Sequence, residues 1–299
     1  MGAGTVAGAA DDMKHTRLET NVPGDFFVDS SCIDCDACRW IAPATFDRAG
    51  EHSRVHRQPG DGASRRRALM ALLACPTGSI RTEEKHDLKP VLAEFPAHIE
   101  QDVFHCGFHS EKSYGAASYF IQREQGNVLI DSPRFTAPLV RRLEALGGVD
   151  LMFLTHRDDV ADHRRFKDHF GCRRVLHRAD LGRATQGVEI VLEGGEPREL
   201  GDQLLAIPTP GHTEGSACLL YRDRFLFSGD HLAQNPGTGG LYAFRGVCWH
   251  DWRIQTESVA RLQRFDFEWV LPGHGRRAHL DRDAMQAALR ACADWMRRV

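Results

Sequence analysis

The chain has 299 residues, 42% of them hydrophobic and 26% charged, with a formal net charge of -3. That composition describes a globular chain long enough for one large domain or two unequal ones. It excludes a broad basic field for nucleic acid, and no long uncharged apolar stretch suits a membrane span.

Residues 1–22 are small and polar and lack the basic start and apolar core of a secretory signal, so a disordered tail is expected. Nine cysteines make an odd set. Without a secretory signal they point to a reducing, cytoplasmic setting and to metal ligation rather than a disulfide framework.

Residues 23–85 hold the pattern Cys32-x2-Cys35-x2-Cys38 and, after a long gap, Cys75-Pro76. Thiolates are soft donors that hold iron–sulfur clusters, and two-residue spacers let three sulfurs converge on one cubane. A second cluster would need a Cys-Pro shortly after the trio, where Ala42-Pro43 stands, and a second trio where Leu69 and Leu72 stand. The segment therefore resembles a single-cluster [4Fe-4S] ferredoxin, with Cys32, Cys35, Cys38 and Cys75 as ligands. Phe26–Val28 and Ile80 would be its packing strands. The competing zinc knuckle normally wants two ligand pairs, which this spacing does not supply. The run Arg65-Arg66-Arg67 reads as a solvated helix face.

Residues 86–99, with Pro90 and Pro96, read as a linker. Across 100–299 the expected strands are 118–122, 127–130, 151–155, 174–177, 204–208, 217–221, 225–228 and 269–271. The expected helices are 138–146, 161–170, 255–264 and 281–296. Their alternation predicts a layered α/β domain.

Four segments there carry metal-capable residues just after apolar strands. They are Thr155-His156-Arg157-Asp158-Asp159-Val160-Ala161-Asp162-His163, Gly211-His212-Thr213, Ser228-Gly229-Asp230-His231 and Pro272-Gly273-His274-Gly275. Imidazoles and carboxylates gathered at one edge make a ligand set for zinc, iron or manganese. The order resembles the metallo-β-lactamase-fold superfamily, whose glyoxalase II-like members carry His-x-His-x-Asp-His, Gly-His-Thr, Gly-Asp and Gly-His-Gly. The resemblance implies a four-layer αββα sandwich behind the small α+β ferredoxin-like domain.

It also implies roles. His156 and His212 would serve a first metal site, Asp162, His163 and His274 a second, and Asp230 would bridge them. Asp162 would orient the nucleophilic water as well as ligate. Asp131 would lie beneath the metals, or else be a simple strand-end aspartate. His231 would be packing. Asp158 stands where the family has its second histidine, and two extra residues precede Asp162-His163. A gapless reading instead sets Asp158 and Val160 at the ligand positions and displaces His156. Either Asp158 ligates, or one ion sits mainly on Asp162, His163, Asp230 and His274, so one or two ions of zinc or iron are expected.

The implied activity is hydrolysis of an ester, thioester or lactone-type small molecule, with the cluster transferring electrons, sensing redox state or serving structure. A redox partner protein would serve the first of these. Flavodiiron proteins, which share the fold and carry a carboxylate in place of the second histidine, supply the oxidoreductase alternative. A redox sensor with a degenerate metal site is the third reading. The aromatics Tyr242, Phe244, Trp249 and Trp252 either line a pocket or pack the core. His105, His109 and the remaining cysteines carry no assigned chemistry.

Overall fold

The computed structural model describes residues 15–299. The N-terminal unit pairs β1 (Phe26–Val28) with β4 (Ile80–Thr82), Phe26 facing Thr82 and Val28 facing Ile80. Between them lie α1 (Ala37–Ile41), the hairpin β2–β3 (Phe46–Ala49 and His52–Val55) and α2 (Gly62–Ala74). Asp61 and Ser64 close a capping box at the start of α2. Phe26, Phe46, Val55 and Leu69 form this unit's core beside Cys38 and Cys75.

Residues 15–22 belong to the same unit, contrary to the expected tail. The Leu18 amide donates to Val28, the Val22 amide donates to Val55, and both side chains join that core. The part of the expected tail before residue 15 lies outside the described residues. The expected linker also holds structure. A short helix, α3 (Lys89–Leu92), precedes β5 (Ala97–Glu100), which is the edge strand of the large domain's first sheet.

That sheet continues through β6 (Val103–His105), β7 (Tyr119–Ile121), β8 (Val128–Ile130), β9 (Leu151–Phe153), β10 (Arg173–His177) and β11 (Ile190–Leu192), in the spatial order β11-β10-β9-β8-β7-β6-β5. Its pairing is antiparallel from β5 to β8 and parallel from β8 to β11. The parallel connections run through α4 (Ala137–Ala145) and α5 (His163–Phe170). The second sheet has the order β12-β13-β14-β15-β18-β19. It is built from β12 (Arg198–Gly201), β13 (Leu204–Pro208), β14 (Ala217–Tyr221), β15 (Phe225–Gly229), β18 (Trp269–Pro272) and β19 (Ala278–His279). A small ladder, β16–β17 (Ala233–Gln234 and Leu241–Tyr242), precedes α6 (Trp252–Arg261), and α7 (Arg282–Met296) ends the chain.

Four layers follow from side-chain alternation. Tyr119, Ile121, Ile130 and Phe153 of one sheet meet Leu219, Tyr221, Phe227 and Leu271 of the other in the central core. Their neighbours Phe120, Leu129 and Met152 turn outward onto Leu139, Leu143 and Phe166 of α4 and α5. On the opposite side Leu220, Leu226 and Val270 meet Val259, Met285 and Leu289 of α6 and α7. Strands covered on both faces are apolar throughout, which explains why β7, β8, β9 and β14 read as continuous hydrophobic runs. No helix among the described residues is long and apolar enough to cross a membrane.

Candidate metal centre

Five strands, β8, β9, β13, β15 and β18, deliver their C-terminal loops to one end of the sandwich. The ends are laced by backbone hydrogen bonds. The Ala217 amide donates to Thr155, the Ala117 amide to Gly273, and the Gly273 amide to Gly229. Each loop then projects one or two polar side chains into the same small volume.

His156 follows β9 and is fully buried. Asp131, at the end of β8, accepts from the Thr155 amide at 2.8 Å and from the Thr155 hydroxyl at 3.0 and 2.9 Å. That hydroxyl lies 3.0 Å from His156 Nδ1. Since its own proton goes to Asp131, it accepts from Nδ1–H, which leaves Nε2 as a free lone pair. Asp131 thus orients the histidine through a threonine rather than directly. Burial pushes the Asp131 carboxyl above its ordinary range, against the hydrogen bonds from Thr155.

Asp230 is central. Its Oδ2 lies 3.8 Å from His156 Nε2, 3.8 Å from His212 Nε2 and 3.7 Å from His274 Nε2. His212 Nε2 is also 3.6 Å from Asp158 Oδ2. Two overlapping groups result, each with ligand atoms within 4.8 Å of one another: His156, Asp158 and His212, and His156, Asp159 and Asp230. Gly273 closes the floor, where a Cβ would stand 2.7 Å from both Asp159 Oδ2 and Asp230 Oδ1. Buried polar atoms normally have hydrogen-bond partners. Here His156 Nε2, both nitrogens of His212, Asp159 Oδ2 and Asp230 Oδ1 have none. Several buried acceptors aimed at one point fit a divalent cation. Burial, together with the like charges of Asp230, Asp131 and Asp158, pushes the Asp159 carboxyl well up.

The structure brings together His156, Asp158, His212, Asp230 and His274 of the expected ligands. Asp162 and His163 stand apart, which corrects the expected second-site set and the role given to Asp162. The Asp162 carboxylate accepts from Lys112 Nζ at 2.8 Å and the Phe135 amide at 2.9 Å. It precedes α5 and leaves its carboxylate committed to those partners. His163, the first residue of α5, sits 3.1 Å from the Ala184 carbonyl and 3.2 Å from Arg174 Nη1. The expectation also passed over Asp159, which occupies the buried position instead. Asp180 was missed as well. It accepts from the Arg157 amide at 2.9 Å, the Thr213 hydroxyl at 2.6 Å and the Gly215 amide at 3.0 Å, so it ties the His156 loop to the His212 loop. Asp180 follows β10, far from any motif, and carries no local signal. His231 is buried and its imidazole is pushed down to about 3 by burial; it is outside both groups.

In the small unit Cys32, Cys35, Cys38 and Cys75 line one enclosed cavity with Val28, Pro76 and Ile80, and none forms a disulfide. Asp34 and Asp36 adopt positive φ of 58° and 69°, which curls the loop around that cavity. Burial pushes the Cys35 thiol up to about 12. Four sulfurs around one cavity, those of Cys38 and Cys75 buried, fit a cubane, whose positive iron core would offset the charge of the thiolates.

The two units are fused tightly. Trp40 of α1 packs on His105 and His109 at 5.1 and 5.7 Å, and Arg277 lies 4.7 Å over Trp40 and 5.3 Å over Tyr119. His105 and His109 are therefore buried interface residues, their Nε2 atoms 2.8 Å apart. A cavity of about 1220 Å³ opens between the units. Asp158, Asp159, His212, Asp230 and His274 lie on one side, and Asp34, Cys35, Asp36 and Arg39 on the other. Tyr242, Phe244 and Trp249 line it, while Trp252 packs against the core instead.

Comparison with known proteins agrees with this division. Residues 28–82 match the 4Fe-4S single cluster domain of ferredoxin I, and residues 114–274 match the metallo-beta-lactamase superfamily. A hydroxyacylglutathione hydrolase of Acidiphilium cryptum (strain JF-5) is 31% identical over 40% of this chain and 46% of its own length. One from Rhizobium etli (strain ATCC 51251) is 30% identical over 45% of this chain and 52% of its own. The chain thus spans about half the length of these curated relatives. Among solved structures, the BLEG-1 B3 metallo-beta-lactamase superposes with a TM-score of 0.49 at 18% identity, covering 59% of this chain and 93% of that one. With the sandwich, the loop order and the family match in agreement, the chain belongs to the metallo-beta-lactamase superfamily and carries a ferredoxin-like 4Fe-4S domain at its N-terminal side.

Proposed function

We propose that the chain is a metal-dependent hydrolase of a small ester, thioester or lactone, carrying one [4Fe-4S] cluster on Cys32, Cys35, Cys38 and Cys75. The observation that carries this reading is the set of unpartnered buried atoms on His156, His212, Asp159 and Asp230, the last three of which line an open cavity. His156, Asp158 and His212 would hold one ion, Asp159 and His274 a second, with Asp230 between them. A divalent zinc or iron ion bound there supplies Lewis acidity and lowers the pKa of a coordinated water to about 7.

The chain's own groups prepare the site. Asp131 and Thr155 hold His156 in one tautomer. Asp180 fixes the spacing of the two histidine loops. The Asp158 carboxylate, exposed at the cavity wall with Oδ2 3.6 Å from His212 Nε2, is held below its ordinary range by that imidazole. It is therefore ionised at neutral pH, the state in which a carboxylate ligates a cation. Tyr242, Phe244 and Trp249 provide apolar surface for the organic part of a substrate. The hydroxyacylglutathione hydrolase relatives support an acyl-thioester substrate class.

The test is iron, sulfide and zinc analysis of anaerobically purified protein, followed by hydrolysis assays on acyl-thioesters, aryl esters and lactones. Stoichiometric zinc with no turnover on any of them would sink the hydrolase reading. One observation favours a second reading, a non-haem iron oxidoreductase. Asp158, Asp159 and Asp230 at the metal centre are hard oxygen donors that also suit iron, and Cys35 of the candidate cluster lines the same cavity. Two mutually coupled irons in addition to the cluster would select it.

A further inference from the structure

The loop between β6 and β7 carries a contact that neither site explains by itself. Tyr114 stands in the left-handed region at φ 47°, followed by Gly115 at φ 84°. The Tyr114 hydroxyl donates to the carbonyl of Ile33, inside the loop between Cys32 and Cys35. Its ring lies 6.2 Å from the ring of His274. Gly115 presses on the cluster loop from the same side. A Cβ on it would stand 2.7 Å from Cys35 Cβ, 2.9 Å from Cys35 Sγ and 3.1 Å from Pro76. Cys35 and His274 also share the wall of one cavity. An otherwise exposed tyrosine is thus pinned at one end to the cysteine loop and laid at the other beside a candidate metal ligand.

We propose that Tyr114 is a positioning residue that couples the two centres, so that the charge on the cluster and ion binding at the metal centre respond to each other. The inference rests on the metal-centre reading above. The physical basis is linkage between two charged sites. A cluster held by Cys32, Cys35, Cys38 and Cys75 would take up one electron from an external one-electron reductant, going from the 2+ to the 1+ state, while an ion held at the metal centre would remain divalent. A dication nearby favours the more negative cluster. By reciprocity, the reduced cluster favours the dication by the same factor. The tyrosine bridge holds His274 and the Ile33 carbonyl in fixed relation, which keeps that interaction from being lost to loop motion.

The experiment is a dithionite titration of the full-length protein with its cluster intact, followed by electron paramagnetic resonance, with and without one to two equivalents of Zn2+. Zinc is expected to raise the cluster midpoint potential by about 30–60 mV, which corresponds to about three- to tenfold tighter zinc binding in the reduced state. Zinc affinity measured independently in both redox states should change by the same factor. In Tyr114→Phe, with iron, sulfide and zinc contents unchanged, the zinc-induced shift should fall to less than about half, since the ring remains but the anchor to Ile33 is gone. Tyr114→Ala should reduce it further. Stoichiometric zinc with no shift in the native protein overturns the coupling alone. A full shift in both variants overturns the role of Tyr114. Failure to take up zinc at all overturns the metal-centre reading and the coupling with it.

Discussion

The Thr213 hydroxyl donates to Asp180 at 2.6 Å, and through that contact the loop carrying His212 is tied to the loop carrying His156. Asp180 is fully buried and satisfies two backbone amides besides. Its truncation would strand two buried donors and the part-buried Arg157 amide. Asp180→Ala is expected to cost about 3 kcal/mol of stability and to weaken zinc binding about 10–100-fold. Denaturant unfolding and chelator competition measure the two effects. Zinc affinity equal to the native value would show that the loops hold their spacing without it.

Asp159 and Asp162 differ in how their carboxylates are engaged. Asp159 has a buried oxygen with no partner, whereas both oxygens of Asp162 are engaged. Asp159→Asn should lower zinc content, while Asp162→Asn should leave it unchanged. The latter should cost only about 1–2 kcal/mol, because Phe135 loses a charged acceptor while Lys112 is itself largely solvent-exposed. Elemental analysis of both variants decides, and loss of zinc only in the Asp162 variant would reverse the assignment.

Gly273→Ala places a methyl 2.7 Å from two carboxylates. Those oxygens would have to swing away from the point on which they converge. We expect loss of most zinc binding from a protein that still takes up iron and sulfide, because the cysteine cavity lies in the other unit. Calorimetric zinc titration of the cluster-loaded variant checks this.

Removing the ion leaves Asp159, Asp230 and Asp131 as neighbouring buried acids. Zinc should therefore stabilise the fold, by about 2.7 kcal/mol at a hundredfold excess over its dissociation constant. Unfolding midpoints measured over a zinc series, with chelator as the zero point, report it. Midpoints independent of zinc would mean that the folded state does not bind it preferentially.

Cys75→Ala should abolish cluster assembly, since Cys75 comes from the far end of α2 and closes the cavity opposite the Cys32–Cys38 loop. Iron and sulfide should fall together. Because the same loop meets Tyr114 and Gly115, the variant should also unfold at lower denaturant than the native protein.

Much of this arrangement could be read before any coordinates, and the reason is local. Two-residue cysteine spacers, Gly-His-Thr after β13 and Gly-Asp after β15 are chemistry written within a few residues, and apolar runs between Gly, Pro and Asp mark buried strands. Other features depend on partners distant in the chain. Ala97–Glu100 has no continuous apolar run, and becomes a strand only because β6 pairs with it. Spacing could not choose between Asp159 and Asp162. The choice follows from where α5 begins and from Lys112 and the Phe135 amide, which occupy Asp162 from other segments. Asp180 acquires its role only when two loops meet around it. The approach of the cysteine loop, through Cys35, to the cleft at the metal centre likewise arises from packing Trp40, Tyr114 and Gly115 across the junction. Ligand chemistry is carried by short runs of residues, whereas the distances between those runs are set by the burial of side chains that lie far apart along the backbone.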